Sequence, residues 1–582
     1  MSNLIQRRLA NPDLELPESL HPLLRRIYSH RNLKSADELE LGLGNLLAPD
    51  LFSGLEAATA LLLEALQQQK RILIVSDFDT DGATSCVVAI QALRGFGCTQ
   101  VDYIVPNRFE YGYGLTPEIV ELAKKRQPDL IITVDNGISS IEGVAAARQA
   151  GIAVLITDHH LPAEATPAAN AIVNPNQHGC DFPSKCIAGV GVIFYVMLAL
   201  RAKLRELDWF SEQGLEQPNL ASLLDLVALG TVADVVALDR NNRILVDAGL
   251  KRIRAGKACA GIAALLEVAR RDDRKTTASD LGFSVGPRLN AAGRLDDMST
   301  GIECLLTDHP GSAYKLALQL DQLNSDRKQI EAGMRDQAFK YLNELSIEVE
   351  ALPAALCLFD SNWHQGVVGI LASRVKDKYH RPVIAFAAVT NGNGGVTELK
   401  GSARSIKGFH IRDALDAVAS RNPGLISKFG GHAMAAGLSL EADRFEEFQQ
   451  AFQNEAARLL DPDQLQAGIF SDGLVEPEYF CLEAAAALTW AGPWGQEFPE
   501  PVFDGKFNII NHRRVGENHL KLTLSPLPAP QQTLDAIAFN VAAGLWPGDD
   551  AREIEIAYKL QINEFRGRQT VQLMVEHILA YS

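Results

Sequence analysis

From Arg71 to about Val173 the chain alternates short apolar runs with helix-like stretches. The runs are Ile72 to Val75, Val101 to Val105, Leu130 to Val134 and Ile152 to Ile156, with helices expected after Gly82, Thr116 and Ser139. Runs that are apolar throughout, rather than at alternate positions, suit a parallel sheet covered on both faces. Such sheets bind ligands beyond the carboxyl ends of their strands. A mainly helical section follows, with Phe194 to Leu204 and Ala221 to Leu229. Between Gly311 and about Leu345, the residues Leu316, Leu320, Leu323, Ile330, Met334 and Tyr341 recur mostly three or four apart among charges. That spacing predicts one long amphipathic helix with no Pro, a stiff arm between two lobes with a cleft between them. From Pro353 to Gln450, strands Ala355 to Phe359 and Val383 to Phe386 mix with helices and Gly-rich turns. From about Ala467 five short runs predict a small β-barrel: Phe503 to Ile510, Leu520 to Leu524, Ala536 to Phe539, Ile554 to Ile562 and Thr570 to Ile578. No internal repeat is present, and low complexity is confined to the turn Asn391-Gly392-Asn393-Gly394-Gly395.

At 582 residues, 47% of them apolar, the chain is too long for one core. Met1 to Arg8 lacks the apolar stretch of a signal peptide, and no window approaches about 18 uninterrupted apolar residues. The eight cysteines are scattered; the closest pair, Cys180 and Cys186, has no second pair at zinc-ligand spacing. A soluble, cytoplasmic protein with reduced, mostly buried thiols and no membrane partner is expected. The formal charge of -17 argues against indiscriminate nucleic-acid binding. A substrate sees its groove rather than the average, however, and ligating cations would cancel part of the acidity.

The chemistry lies where the apolar runs end. Asp77, Asp79 and Asp81 follow the first, Asp135-Asn136-Gly137 the third and Asp158-His159-His160 the fourth. A further acid, Asp234, closes Leu229-Gly230-Thr231-Val232-Ala233-Asp234. Carboxylates repel when they converge, so this clustering makes sense chiefly if hard divalent cations neutralise them. The pattern predicts a two-metal phosphoester hydrolase.

Ser76 to Gly82, Val134-Asp135-Asn136-Gly137, Asp158-His159-His160 and Gly230 to Asp234 resemble the four ordered motifs of the DHH phosphoesterase superfamily. Pro106-Asn107-Arg108-Phe109 with Tyr111-Gly112-Tyr113-Gly114, and Gly286-Pro287-Arg288-Leu289-Asn290 with Gly293-Arg294, narrow the resemblance to the RecJ exonuclease branch. Trp363 to Ile370 and Gly430-Gly431-His432-Ala433-Met434-Ala435-Ala436-Gly437 do the same. The resemblance spans nearly the whole chain, weakest over the first forty or so residues. It implies a DHHA1 domain after the catalytic domain and an OB-like fold for the barrel. One departure stands out: where other DHH relatives begin the first motif with a His, this chain has Val75, with Asp77 standing in.

Asp79 and Asp81, two apart in an extended loop, are expected to point the same way and share a pair of cations with Asp77. Asp135 is the candidate bridge, His159 the imidazole ligand and Asp234 the last of the shell. Mixed carboxylate and imidazole donors suit Mn2+ particularly and Mg2+ acceptably. His160 is the candidate for stabilising the phosphorane or moving a proton, with Asp158 orienting an imidazole. The resemblance places Arg108, Ser373 and Arg374 at a terminal 5′-phosphate, with Arg288 adding charge and Gly430, Gly431 and His432 letting backbone approach the strand. Arg294, Arg404, Lys407, Arg513, Arg514, Arg566 and Arg568 are further groove cations. Phe507, Tyr558 and Phe565 either stack on bases or fill the barrel.

The expected fold is α/β: a parallel-sheet DHH domain (46–310) after an N-terminal extension (1–45), a connecting helix (311–345), a smaller α/β DHHA1 domain (346–455) and an OB-like barrel (456–582). The extension is expected to be a helical cap on the catalytic lobe. The resemblance implies a single-stranded-DNA-specific 5′ to 3′ exonuclease of repair and recombination, releasing 5′-mononucleotides and partnered by single-strand-binding protein and a helicase. Two alternatives are a pyrophosphatase or short-oligonucleotide phosphodiesterase, which a 582-residue chain with an added barrel opposes, and an inactive scaffold, which intact ligands oppose.

Overall fold

The computed structural model describes residues 4–107, 111, 114–344, 352–390, 395–431, 433–465, 468–516, 519–541 and 551–581. Two compact units form: Met1–Gly293 with Asp297–Leu320 and Gly468–Ser582, and Arg294–Asp296 with Asp321–Ala467.

In the first unit, strand β1 (Leu4–Arg7) precedes a parallel sheet of β2 (Ile72–Ser76), β3 (Val101–Ile104), β4 (Leu130–Val134), β5 (Ala153–Thr157) and β6 (Ala171–Val173). The order is β3-β2-β4-β5-β6, with every pairing parallel. All five residues of β2 and of β4 are buried, which explains why these runs lack a polar alternation. One face, with Leu73, Val75, Ile131 and Val154, packs on Ile119, Val120, Val144 and Ala147 of two covering helices. Burial of each such side chain contributes ~1.5–3 kcal/mol. Because β2 is flanked by β3 on one side and β4 on the other, the chain reverses its winding there, and the crevice opens between the ends of β2 and β4.

The second unit holds β7 (Leu356–Phe359), β8 (Val383–Thr390), β9 (Val396–Arg404), β10 (Lys428–Gly431) and β11 (Ala435–Glu441) in the order β10-β11-β9-β8-β7. The Gly-rich turns expected here are largely strands: β9, β10 and β11 carry the glycines, and only β7 with β8 is parallel.

Strand β12 (Gly468–Ser471) leads into β13 (Phe503–Val515), β14 (His519–Pro526), β15 (Leu534–Ala538), β16 (Glu553–Phe565) and β17 (Arg568–Tyr581), a closed barrel in the order β13-β14-β15-β17-β16. The strands are longer than the apolar runs, because β16 and β17 continue beyond the core as a two-stranded extension. Phe507 and Tyr558 are 2% and 1% exposed and pack edge to face, so they fill the barrel and are unavailable for stacking; Phe565, at 67%, is open.

The long helix runs over Pro310–Glu344. Its most buried positions are Ala313, Ala317, Leu320, Asn324, Glu331, Met334 and Ala338, a stripe displaced from the expected Leu316, Leu323 and Ile330. Small residues define the buried side, and two polar ones, Asn324 and Glu331, stay on it by pairing with Arg327. Tyr341's side chain lies outside the described residues.

The N-terminal extension holds one α-helix, Pro22–Ser29, and meets the catalytic lobe where Glu38 takes Arg243 at 3.3 Å, but it docks on the barrel segment as well. Its β1 pairs in parallel with β12 at the entrance to the barrel, and the Arg31 guanidinium forks onto buried Asp472 at 2.8 and 3.2 Å. The eight cysteines are free thiols. Among the described residues no single helix is long and apolar enough to cross a membrane.

Candidate active site

The acids gather where the sheet topology opens. Asp77, just past β2, accepts from the Phe78 amide at 2.8 Å. Asp79 is not in an extended loop: it N-caps the helix Thr80–Gly95, accepting from the Gly82 amide at 3.0 Å. Asp81 already lies in the first turn of that helix. The cap and the first turn therefore give the two carboxylates different hydrogen-bond partners, while Asp79 stays near enough to raise Asp81 by its charge. The sequence Asp-Thr-Asp-Gly carries a capping signal that competes with the extended reading, and the helix wins.

The donors fall into two groups. Asp77, Asp79 and Asp135 form one, and Asp81, His159 and Asp234 the other, while His160 joins Asp135 and His159 in a third overlapping set. Within each, one donor atom per residue lies within 4.8 Å of the rest. His159 Nε2 stands 3.1 Å from Asp135 Oδ1, 3.4 Å from Asp234 Oδ2 and 4.0 Å from Asp81 Oδ2.

Burial, reinforced by the neighbouring carboxylates, holds Asp81, Asp135 and Asp234 well above the usual carboxylate range. Asp234 sits at the C-terminal end of the helix Leu224–Ala233, where the helix dipole adds to the repulsion. Burial, and then the charge of His160, lowers His159 and favours the neutral imidazole. Its Nε2 is buried and makes no hydrogen bond among the described residues. A neutral ring nitrogen aimed at three acids that cannot all ionise fits a divalent cation. The donor set suits Mn2+ or Mg2+.

Asp158 and His160 form a distinct pair. Asp158 Oδ1 accepts from His160 Nδ1 at 2.7 Å and from the His159 and His160 amides at 2.8 and 3.1 Å, while Oδ2 accepts from the Ile138 amide at 2.9 Å. Burial opposes the charge, but His160 outweighs it and holds Asp158 down at about 2. Burial likewise opposes the His160 cation, and the Asp158 carboxylate raises it to about 9.

Several residues that build the site carry no acid or imidazole; Asn136 and Asn290 lie within the quoted motifs without a role assigned, and Gly189, Val190, Asn174 and Asn176 escaped the sequence reading. The Gly189 and Val190 amides, opening the helix Gly189–Glu206, grip Asp81 at 2.7 and 2.9 Å. A Cβ on Gly189 would stand 2.6 Å from Asp135 Oδ1, so only glycine lets that helix approach. Asn136 donates to the carbonyls of Val75 and Val134, locking β2 to β4. Asn174 and Asn176 donate to the carbonyls of His160 and His159 and fix the turn that presents both rings. Asn290 accepts from the Thr80 amide and hydroxyl, both at 2.8 Å, beside Asp79. Asn136 alone adjoins an acid of the motifs; Asn174-Pro175-Asn176 and Gly189 lie well away from them in sequence and carry no such signal.

Of the remaining candidates, Arg288 lies on the helix Gly286–Leu295 and donates to the Ser284 carbonyl at 2.6 Å. In the second unit, Ser373 and Arg374 sit on the helix Val368–Tyr379. Arg374 is held by Glu331 at 2.8 Å, and Glu331 also takes Arg327 at 3.1 Å. Gly430 and Gly431 lie on the edge strand β10. Arg108 and His432 fall outside the described residues.

Residues 71–231 match the DHH family N-terminal domain, 350–458 the DHHA1 domain and 471–577 the RecJ OB domain. The chain is 54% identical over 574 residues to the single-stranded-DNA-specific exonuclease RecJ of Escherichia coli, covering 99% of this chain and 98% of that one. It is 32% identical to the Bacillus subtilis RecJ over 584 residues, covering 98% of this chain and 70% of the relative. The crystal structure of Thermus thermophilus RecJ in complex with Mn2+ aligns with a TM-score of 0.79 at 28% identity, over 99% of this chain and 79% of that chain. The same protein in complex with Mg2+ aligns at 0.73 and 27% identity, over 99% and 78%. With all three domains matched in order and full-length relatives above half identity, this chain belongs to the RecJ family of DHH phosphoesterases.

Proposed function

We propose that this protein is a metal-dependent exonuclease that digests single-stranded DNA from its 5′ end and releases 5′-mononucleotides. The observation that carries the reading is the convergence of Asp77, Asp79, Asp81, Asp135, His159 and Asp234 at the β2/β4 opening of a RecJ-family chain. Asp77, Asp79 and Asp135 would hold one Mn2+ or Mg2+, and Asp81, His159 and Asp234 the other, with Asp135 facing both groups. When bound, such ions acidify the attacking water and neutralise charge on the phosphate.

The chain's own residues do the rest. Asp158 takes His160 Nδ1, so any proton exchanged with a phosphoryl or leaving oxygen moves at Nε2. As a cation above neutral pH, the same ring opposes the negative charge that builds on phosphorus. Asn136 and Gly189 keep Asp135 between the two groups. End recognition belongs to Arg108, Ser373 and Arg374, with Arg288 adding charge and Gly430, Gly431 and His432 admitting the strand. Repair and recombination are the expected context, single-strand-binding protein and a helicase the expected partners, and the cytoplasm the expected location.

The test is digestion with Mn2+ of a labelled linear strand beside a circular strand and a blunt duplex. Mononucleotides from the linear strand alone are expected; cutting of the circle would make the enzyme an endonuclease, and inertness toward all three would refute the reading.

A further inference from the structure

The segment Leu281-Gly282-Phe283-Ser284-Val285 winds as a single π-helical turn immediately before Gly286. Such turns are rare and widen a helix so that one side chain is pushed outward. Here that side chain is Phe283, 83% exposed, a large apolar ring in water. The turn is continuous with the helix that supplies Asn290 to Thr80, so Phe283 stands on the element bracing the Asp79 cap.

Contacts lead from Phe283 away from the acids. Arg271 donates to Ser284 Oγ at 3.2 Å, opening the loop Arg271 to Thr276. Arg254 donates to the Thr276 carbonyl at 2.7 Å and lies over the Trp490 ring at 4.7 Å. Lys275 reaches Glu564 at 2.7 Å, at the tip of the β16–β17 extension, where Phe565 is 67% exposed beside Arg566. Trp490 is itself 48% exposed. Three aromatic rings open to water are thus joined through a loop carrying Arg271, Arg274 and Lys275. Acids lie among them: Arg271 pairs with Asp280 at 3.4 Å, and Lys275 with Glu564 at 2.7 Å and Asp272 at 3.9 Å, so these two cations meet a strand by exchanging a carboxylate for a phosphate.

Rings interleaved with cations are what single-stranded nucleic acid requires, since every base has a face to stack and every linkage a charge. A protein or lipid partner would favour contiguous aliphatic surface, which this line lacks. We propose that Phe283, Trp490 and Phe565, with Arg254, Arg274 and Lys275, form a second binding track that holds single-stranded DNA beyond the nucleotides at the acid cluster. The track rests on the exonuclease reading above and deepens it. It explains why the π-turn exposes a Phe and why the barrel extension is tied to this loop, and it lets a strand stay engaged between cuts.

The experiment measures binding of fluorescein-labelled oligothymidylates of increasing length to the full chain in EDTA, by anisotropy. For the parent, affinity rises with length. In F283A/F565A the rise is lost, with the longest strands bound about tenfold or more weakly. Both rings are exposed, so their removal leaves no cavity, and F283W restores the gain because indole also stacks. R274A flattens the dependence of log Kd on log salt by about one. A double variant within twofold of the parent at every length would overturn the track. If instead the parent neither digests nor binds linear strands, the exonuclease reading fails and the track falls with it.

Discussion

Replacing Asp472 with Asn leaves the Arg31 guanidinium buried without its counter-charge. Both side chains are sealed, at 1% and 0% exposure, and Asp472 also meets His30 Nδ1 at 3.2 Å, Arg8 at 3.4 Å and the Val502 amide at 3.2 Å. An Asn presents one acceptor oxygen where the carboxylate presents two, and its amide hydrogens face other donors. Removing one partner of a buried pair costs about 3–5 kcal/mol, because the remaining charge stays desolvated. The loss falls on the β1–β12 ladder, which pairs Leu4 to Arg7 with Gly468 to Ser471. In a chain of several domains one melting temperature is not well defined, so amide exchange of these residues is the suitable assay. Their protection should drop about a hundredfold or more at pH 7. The pH dependence gives a second arm. Burial opposes the Asp472 charge, but His30, Arg31 and Arg8 overcome it and hold the group at about 2, below its ordinary 3.8. A depressed acid stabilises the fold above its unfolded value, and that stability is lost as pH falls from about 4 toward 2. The shift is worth about 2–3 kcal/mol. The parent's ladder should weaken across that window, after correction for intrinsic exchange, and Asp472→Asn should not. Protection within threefold of the parent at pH 7, or a parent curve flat from pH 4 to 2, would refute the account.

Other consequences concern the acids. Gly189→Ala should place a methyl 2.6 Å from Asp135 Oδ1 and lower kcat by about a hundredfold, the expected effect of a displacement near 1 Å, while the Kd for single strands changes little. Mn2+ at about a hundred times its Kd should stabilise the catalytic domain by about 2.7 kcal/mol for each ion bound, read by calorimetry. Asp135→Asn should remove that shift, abolish digestion and raise metal-free stability by relieving repulsion; a destabilised metal-free variant would contradict the clustering. Arg374→Ala should lower kcat/KM for 5′-phosphorylated ends about tenfold to a hundredfold, the worth of a charge-assisted hydrogen bond, and affect 5′-hydroxyl ends less. Equal losses on both ends would remove it from end recognition.

The catalytic sheet was legible because β2, β4 and β5 are buried on both faces, and apolar runs ending in acids admit few other structures. The second unit's β9, β10 and β11 were not, since their glycines read as turns until the sheet supplies partners. Phe507 and Tyr558 show the limit for aromatics: a ring that fills a barrel and one that stacks on a base have the same sequence signal. The N-terminal extension was opaque for a different reason. Its main contacts, Arg31 with Asp472 and β1 with β12, span more than four hundred residues, and a lone Arg in a polar stretch gives no hint of a buried partner.

The helix start at Asp79 and Asp81 bears on mechanism. An extended loop would have presented the two carboxylates to the same cations, making one of them nearly dispensable. The helix start instead spends Asp79 on a cap and one group, and Asp81 on the Gly189 and Val190 amides and the other. The first motif thus gives Asp77 and Asp79 to one group and Asp81 alone to the other, so Asp79 cannot cover for Asp81. Asp79→Asn and Asp81→Asn should therefore fail differently. The first removes a donor from the group containing Asp77, which retains two acids; the second leaves Asp234 and His159 with Asp135 beside them and also weakens the hold of the helix Gly189–Glu206. Titration of each variant with Mn2+ by calorimetry should show one site weakened and one kept. If both variants lost both sites alike, the two groups would be a single one, with Asp79 and Asp81 sharing its cations from the helix start.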